Sequence, residues 1–210
     1  MPAIKEIIDH FSEYPAFSYR DVVLYLRSRK LPTRNITRLL SYMKSNGKIY
    51  AVKKGVYTLI KDDMVAGFAY PPFYYGLLSA LTIRELWTRN SKPEVITLRK
   101  VRKSKVQIFG SSGSIAFIHH IPAKYFFGFD IVTYGKLRVP TSDPEKTLID
   151  LFYYKVGLPI QNLSQLLKAI DKRKLETYLC AYDHHTAMAV MNFVKLYKKA
   201  AVAGKLENPY

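Results

Sequence analysis

Apolar residues in the first 60 positions recur with two distinct periods, and the order in which they do so is informative. Ile4, Ile7, Ile8 and Phe11 repeat at three- and four-residue spacing, which gives a first helix with one apolar stripe. A second helix has a start written into it: Ser18 caps, Asp21 stands three residues on, and Phe17 and Val22 are spaced for a hydrophobic staple. Its apolar set runs through Val23 and Leu26 until Leu31-Pro32, where proline forces a stop. A third helix follows Thr33, with Ile36, Leu39, Leu40 and Met43 inward, and ends at Asn46-Gly47. Two β-prone runs, residues 48–52 and 56–60, are then joined by Lys53-Lys54-Gly55, a tight hairpin turn. Helix, helix, short turn, helix, hairpin is the order of a winged helix-turn-helix.

The pattern changes after Lys61-Asp62-Asp63, which marks the best domain boundary. Residues 1–62 are expected to be a winged helix-turn-helix DNA-binding domain, 63–72 a linker, and 73–210 an α+β domain with a small sheet and C-terminal helices. In this second domain Tyr74 to Arg89 reads as a mostly buried helix. Strand-like runs follow at Val95–Leu98, Val106–Phe109, Ile115–Ile118 and Phe129–Tyr134. Ser142-Asp143-Pro144-Glu145 is a strong helix start, with a cap, proline in the first turn and a capping-box glutamate. Leu148, Leu151, Phe152 and Val156 continue that helix, and Leu163–Ile170, Leu175–Tyr182 and Ala187–Ala203 supply three more. The fold class is therefore α+β. Met64 to Ile83 carries no charge and is long enough to span a bilayer, but Pro71-Pro72 near its centre would break the helix that lipid demands.

Charge adds a functional direction. Of 210 residues, 33 are Lys or Arg and 16 are Asp or Glu, a formal +17 that points to a polyanionic partner, nucleic acid ahead of a membrane surface. Residues 1–62 and 63–140 each carry net +7 and the remainder +3, so the excess lies in the first two thirds. At 100° per residue Arg34, Thr37, Arg38, Ser41 and Ser45 fall opposite the apolar side of the third helix, flanked by Asn35 and Lys44. Arginine can grip guanine bidentately, asparagine can grip adenine, and hydroxyls reach bases or phosphates. The start of a recognition helix reaches deepest, which favours Thr33, Arg34, Asn35, Thr37 and Arg38 for base contacts. Lys53 and Lys54 suit phosphate or minor-groove contact, and Tyr19 and Arg20 the DNA backbone. No acidic residue occurs from Leu31 through Lys61. The same architecture also serves RNA- and protein-binding modules, so the stripe names a surface before it names a ligand. Arg99, Lys100, Arg102, Lys103 and Lys105 form a further basic run that extends the DNA footprint, receives an acidic partner, or is simply a solvated hairpin tip.

Enzyme signatures fail in turn. There is no P-loop Gly-Lys-Ser or Gly-Lys-Thr, and Gly110-Ser111 matches the Gly-Ser start of a nucleotidyltransferase site without a following Asp-x-Asp. No Asp-x-Lys or Glu-x-Lys of a restriction-type nuclease occurs. His119-His120 are adjacent on an expected strand and point to opposite faces. Cys180 and His184 at i, i+4 supply two ligands where zinc wants three or four, and no metal or cofactor is expected. The single cysteine fits a reducing cytosol, and the start Met1-Pro2-Ala3-Ile4-Lys5-Glu6 lacks the pattern of a secretion signal, so a cytoplasmic, non-membrane, non-enzymatic protein is expected.

Two segments carry a family resemblance. Pro72-Phe73-Tyr74-Tyr75-Gly76-Leu77-Leu78-Ser79-Ala80-Leu81, just after the winged-helix pattern, is similar to the Tyr-rich, Ser-Ala-Leu-containing helix of the AbiEi antitoxins of type IV toxin–antitoxin and abortive-infection systems. Asp143-Pro144-Glu145-Lys146-Thr147-Leu148-Ile149-Asp150 resembles the capped "PEKTL-D" helix of that family, and the likeness in order and length covers nearly the whole chain. The resemblance implies an N-terminal domain that represses its own promoter through inverted repeats in double-stranded DNA. It also implies a C-terminal domain that counteracts a nucleotidyltransferase-like toxin encoded nearby. A two-fold operator would place half-sites about 10 base pairs apart, or a multiple of that, under a homodimer on DNA. Glu145, Lys146, Thr147 and Asp150 have an equally good reading in helix capping and charge placement. A different class of reading is a stand-alone transcription factor whose second domain senses a ligand or dimerises. A third is a nuclease or nucleotidyltransferase relative tethered to DNA.

Overall fold

A computed structural model describes residues 2–87, 89, 91–110, 113–158 and 163–202. The first part contains α1 (Pro2–Phe11), β1 (Phe17–Ser18), α2 (Tyr19–Ser28), α3 (Ile36–Ser45), β2 (Tyr50–Lys53) and β3 (Val56–Thr58). The capping box at α2 is complete: Asp21 N–H donates to Ser18 Oγ at 3.2 Å and Ser18 N–H to the Asp21 carboxylate at 2.6 Å. Two orphan donors of the first turn are thereby satisfied where they would otherwise cost about 1 kcal/mol. Ile4, Ile7 and Phe11 of α1, Val22 and Leu26 of α2, and Ile36, Leu40 and Met43 of α3 meet in one buried cluster with Phe17 and Ile49. The hairpin turns at Lys54-Gly55, where Gly55 takes φ +78°, a conformation that L side chains rarely adopt. Strand β1 completes a three-stranded antiparallel sheet in the order β1-β3-β2.

The expected linker, 63–72, is largely core. Asp63–Ala69 forms a 3-10 helix whose Met64, Val65, Ala66, Gly67 and Ala69 are buried. Asp62 caps it by accepting from Met64 N–H at 2.8 Å. The apolar, Gly/Ala-containing composition that resembles a flexible connector reflects close packing: a Cβ on Gly67 would stand 2.2 Å from the Phe73 ring.

A six-stranded mixed sheet follows, made of β4 (Phe73–Tyr75), β5 (Glu94–Thr97), β6 (Lys105–Gln107), β7 (Ile115–His120), β8 (Phe129–Tyr134) and β9 (Leu137–Ser142). Its order is β6-β7-β5-β4-β9-β8, with β5·β7 and β4·β9 parallel and the other neighbours antiparallel. Two of these strands replace or escape the sequence reading. The expected helix from Tyr74 to Arg89 begins as β4, because Phe73–Tyr75 pairs with Val95–Thr97 on one side and meets Thr141 on the other. The helix itself, α4, spans only Leu77–Ile83 after an extended Gly76. Strand β9 contains Pro140, a residue that argues against a strand when read locally.

Alternation along the strands sends side chains to two cores. Phe73, Tyr75, Val95, Ala116, Ile118, Leu137 and Val139 pack against the 3-10 segment, together with Val52 from the hairpin. Tyr74 and Ile96 face the helices: α4, α5 (Pro144–Tyr153), α6 (Ser164–Ala169), α7 (Lys172–Leu179) and α8 (His184–Val202). The α5 cap and its first-turn proline are as read, with Asp143 accepting from Lys146 N–H at 2.8 Å, but Glu145 closes no capping box: its carboxylate is turned to Asp171 N–H and Lys174 instead. The third and fourth helical runs begin earlier than their apolar residues imply, α7 because Asp171 caps it through Arg173 and Lys174 N–H. Ser111 of the Gly-Ser motif and Ala203, the expected end of the last helix, lie outside the described residues. No helix among the described residues is long and apolar enough to cross a membrane; Met64 to Ile83 is divided among a 3-10 helix, a strand and a short helix.

Candidate nucleic-acid interface

The polar stripe read from the sequence is divided by the fold into a turn and a helix. Thr33, Arg34 and Asn35 precede α3 and occupy the turn leading into it, rather than its first helical residues. Asn35 is the N-cap residue in a left-handed conformation, φ +69°, which asparagine tolerates better than most residues. Its side chain makes no cap hydrogen bond, so it remains free for other partners. Thr37, Arg38, Ser41 and Lys44 lie on α3 itself, all exposed, while Ile36, Leu40 and Met43 of the same helix are buried. The helix is thus a ridge with an apolar root and a polar crest.

A hollow flanks each side of that ridge. One, about 510 Å³, is lined by Leu31, Pro32, Leu39 and Tyr42 together with Arg34 and Arg38. The other, about 200 Å³, lies between α3 and the hairpin and is lined by Ser41, Lys44, Lys54 and Tyr57 among others. Tyr19 and Arg20 are exposed at the start of α2, and Tyr19 N–H donates to the carbonyl of Gly55 at 2.9 Å, which sets them beside the hairpin turn. Nine of the eleven residues expected at a DNA surface are exposed, and none of the nine makes an ion pair among the described residues. Thr33 is half-buried.

Lys53 is the other exception and corrects the hairpin-tip expectation. It ends β2, is half-buried, donates to the carbonyl of Ala69 and lies 4.2 Å from the Tyr70 ring centre. Burial, and then the neighbouring Arg99 guanidinium, hold its ammonium below the ordinary lysine range. It serves to seat the hairpin on the end of the 3-10 helix and the Tyr70 that follows it, while Lys54, of the two lysines, occupies the exposed turn. The signal that it would be taken inward was absent from the local pattern, because the acceptor comes from Ala69.

The "PEKTL-D" segment has the opposite surroundings. Glu145, Lys146, Thr147, Leu148, Ile149 and Asp150 are all buried. The Lys146 ammonium pairs with the Asp150 carboxylate and donates to Tyr182 Oη at 2.9 Å, and Tyr74 Oη donates to Asp150 Oδ2 at 2.9 Å. Burial pushes the lysine down and the aspartate up, each opposed by the other's charge. Beside them Tyr178 Oη donates to Asp143 at 2.8 Å, and Lys174 bridges Asp143 and Glu145 at 3.0 and 3.1 Å. Glu145 also accepts from Asp171 N–H at 2.6 Å. These contacts bind α5 to β4 and α7, and Arg84 fastens the end of α4 to the carbonyls of Thr141 and Ser142. The motif is a buried clamp: Lys146 and Asp150 pair with each other, and Asp143 and Glu145 are held by Lys174.

Among the described residues no three His, Cys, Asp or Glu side chains gather as a metal site. Cys180 ends α7 and His184 opens α8, so the continuous helix that would have placed them on one face does not exist.

The class defined by this architecture is an α+β protein with a mixed sheet and C-terminal helices. The fold has a counterpart in the RV2827C protein from Mycobacterium tuberculosis, whose crystal structure superposes with a TM-score of 0.62 at 11% identity, over 94% of this chain and 77% of that one. At that identity the likeness is one of fold. No family model and no curated protein sequence matches the chain.

Proposed function

We propose that this protein is a sequence-specific DNA-binding transcriptional repressor that acts in the cytoplasm as the antitoxin of a type IV-like toxin–antitoxin pair. The N-terminal elements act as a winged helix-turn-helix, α3 reads the operator, and Lys54 with Tyr19 and Arg20 grips the sugar-phosphate backbone. The observation that carries the reading is the exposed crest of α3, bearing Arg38, Thr37, Ser41 and Lys44, beside an exposed lysine at the hairpin turn in a stretch without a carboxylate. An arginine that is exposed and unpaired retains its full hydrogen-bonding capacity for a base edge.

The antitoxin half of the proposal rests on the AbiEi resemblance of residues 72–81 and 143–150. Because the residues of the second segment are buried, the toxin would meet other residues of the second domain, and the motif would set its shape. The protein would occupy inverted repeats at its own promoter, as a homodimer or as paired copies.

A gel-shift titration of the purified protein on its own upstream DNA, against scrambled DNA of equal length at two salt concentrations, tests the DNA reading. Preference for the upstream fragment that survives the higher salt supports an autoregulating repressor. Equal binding that collapses with salt on both fragments overturns it. Co-expression with the neighbouring gene tests the antitoxin reading: rescue from growth arrest supports it, and no effect leaves the stand-alone transcription factor as the better account.

A further inference from the structure

One group of exposed cations lies outside both the α3 crest and the hairpin turn. Arg99, Lys100, Arg102, Lys103 and Lys105 are exposed on the connection from β5 into β6. No acidic residue occurs from Val95 through Phe129, just as none occurs from Leu31 through Lys61. None of the five makes an ion pair among the described residues.

Their place is set by contacts at both ends of the segment. Arg99 Nε donates to the carbonyl of Pro71 at 2.6 Å, and Lys53 of β2 donates to the carbonyl of Ala69 two residues earlier. Thr97 Oγ1 lies 2.8 Å from the carbonyl oxygens of both Tyr70 and Pro72 and shares its one proton between them, so residues 69–72 are held between the hairpin and the start of the basic segment. At the far end Phe109 N–H donates to the carbonyl of Ala51 at 2.9 Å, and the Phe109 and Tyr50 rings meet at 5.8 Å. Strand β2 is therefore fastened to the second domain both before and after the basic residues. Val101 packs into the core that includes Val52, and Ser104 accepts from Ile118 N–H at 2.7 Å, which anchors the middle of the segment too. The basic run is a supported extension of the hairpin side of the molecule.

We infer that residues 99–105 form a second phosphate-contacting element beside the hairpin, so that a bound duplex extends beyond Lys54 onto Lys100, Arg102, Lys103 and Lys105. This rests on the DNA-binding reading and enlarges its footprint to include the second domain. Like charges gathered without carboxylates repel one another, and a polyanion with regularly spaced charges relieves that repulsion. A duplex backbone fits better than an acidic protein surface. The apolar residue of the segment, Val101, is turned into the core, and the exposed side chains lack the aromatic or aliphatic anchors on which protein interfaces depend. Arg99 is a positioning residue, since its guanidinium is engaged with Pro71.

The test is a full-length variant carrying Lys100→Gln, Arg102→Gln, Lys103→Gln and Lys105→Gln, titrated by fluorescence anisotropy on the upstream duplex and on scrambled DNA between 50 and 200 mM salt. Each lost phosphate contact lowers the steepness of log affinity against log salt by about 0.9, so a fall of about 2–4 is expected, equal on both DNAs. Affinity at the lowest salt should drop at least about tenfold while the preference for the upstream fragment is kept. A hydroxyl-radical footprint should shorten on one flank. An unchanged slope and footprint overturn the inference and leave the segment for an acidic partner or for solvent. If the wild type shows no preference for the upstream fragment, the repressor reading fails, yet the slope difference on scrambled DNA still decides the role of the segment. The pair Arg102→Gln and Lys103→Gln, with matched thermal melts, repeats the test if the fourfold variant folds poorly.

Discussion

Helices α3 and α5 each carry charged and hydroxyl side chains around an apolar stripe, and the protein uses them in opposite ways. On α3, Thr37, Arg38, Ser41 and Lys44 are exposed and make no ion pairs among the described residues. On α5, Lys146, Thr147 and Asp150 have no exposed surface at all: Lys146 and Asp150 satisfy one another and nearby tyrosines, and Thr147 bonds Ser142. The difference comes from the number of neighbours. Helix α3 packs by one face against α1 and α2, whereas α5 is enclosed by the sheet, α4 and the helices that follow it. A charged motif is therefore a weak guide to a binding site until its burial is known, since charges removed from water must be paired within the fold.

Four measurements test that contrast. The largest effect belongs to the buried pair. Lys146→Met leaves the Asp150 carboxylate without its cation, and a loss of about 3–5 kcal/mol of stability is expected from urea unfolding. Adding Asp150→Leu to the same chain should recover much of that loss, because an apolar pair of similar volume carries no desolvation penalty. A Lys146→Met variant as stable as the wild type would show that α5 is not the clamp described.

The mirror experiment is on α3. Arg38→Ala is expected to weaken operator binding by about 1–3 kcal/mol, relaxing preference at one base pair. Its unfolding midpoint should hold, with a stability change within about 0.5 kcal/mol. Loss of stability with unaltered DNA preference would reverse the roles assigned to the two helices.

Glu94 at the start of β5 stands between these extremes. It is half-buried, its carboxylate accepts one hydrogen bond among the described residues, from Leu78 N–H at 3.4 Å, and burial raises its carboxyl from 4.5 to about 7. Because its folded-state pKa lies above the unfolded value, the native protein binds this proton more tightly. Its contribution is present below about pH 4.5 and is lost as pH rises through 7. Glu94→Gln should remove that slope and stabilise the protein at pH 8 by about 1 kcal/mol after solvent screening, as read from urea midpoints at pH 5 and pH 8.

The smallest effect separates two adjacent lysines. Lys54→Ala is expected to weaken binding to all sequences alike and to lower the salt slope by about 1, with stability unchanged. Lys53→Ala should instead lower stability, since its ammonium caps the carbonyl of Ala69. Equal behaviour of the two variants would mean that the hairpin is not seated as described.

Much of the N-terminal part and the start of α5 were legible because their signals are local. The Ser18–Asp21 box, the spacing of Ile4, Ile7 and Phe11, the Lys54-Gly55 turn and the Asp143-Pro144 cap each act within a few residues, and each stands where the sequence places it. The exposed crest of α3 was legible for the same reason, since helical periodicity alone separates Arg38 from Leu40. The entry turn was less so: Arg34 and Asn35 read as the start of a helix following Thr33, but the left-handed backbone at Asn35 delays that start to Ile36.

Taken alone, the amino-acid sequence determined the helical and hairpin elements whose caps and periods are complete within one turn of chain, the α+β class, and the location of the positive charge. Tertiary structure decided the rest. Phe73–Tyr75 is a strand because β5 and β9 lie on either side of it, and residues 63–69 are core because the sheet offers them an apolar face. Lys53 turns inward because Ala69 supplies an acceptor, and Lys146 is buried because Asp150 and Tyr182 are there to receive it. Strand pairing and the burial of charge depend on partners distant in sequence, and their free energy appears only once those partners have been brought together.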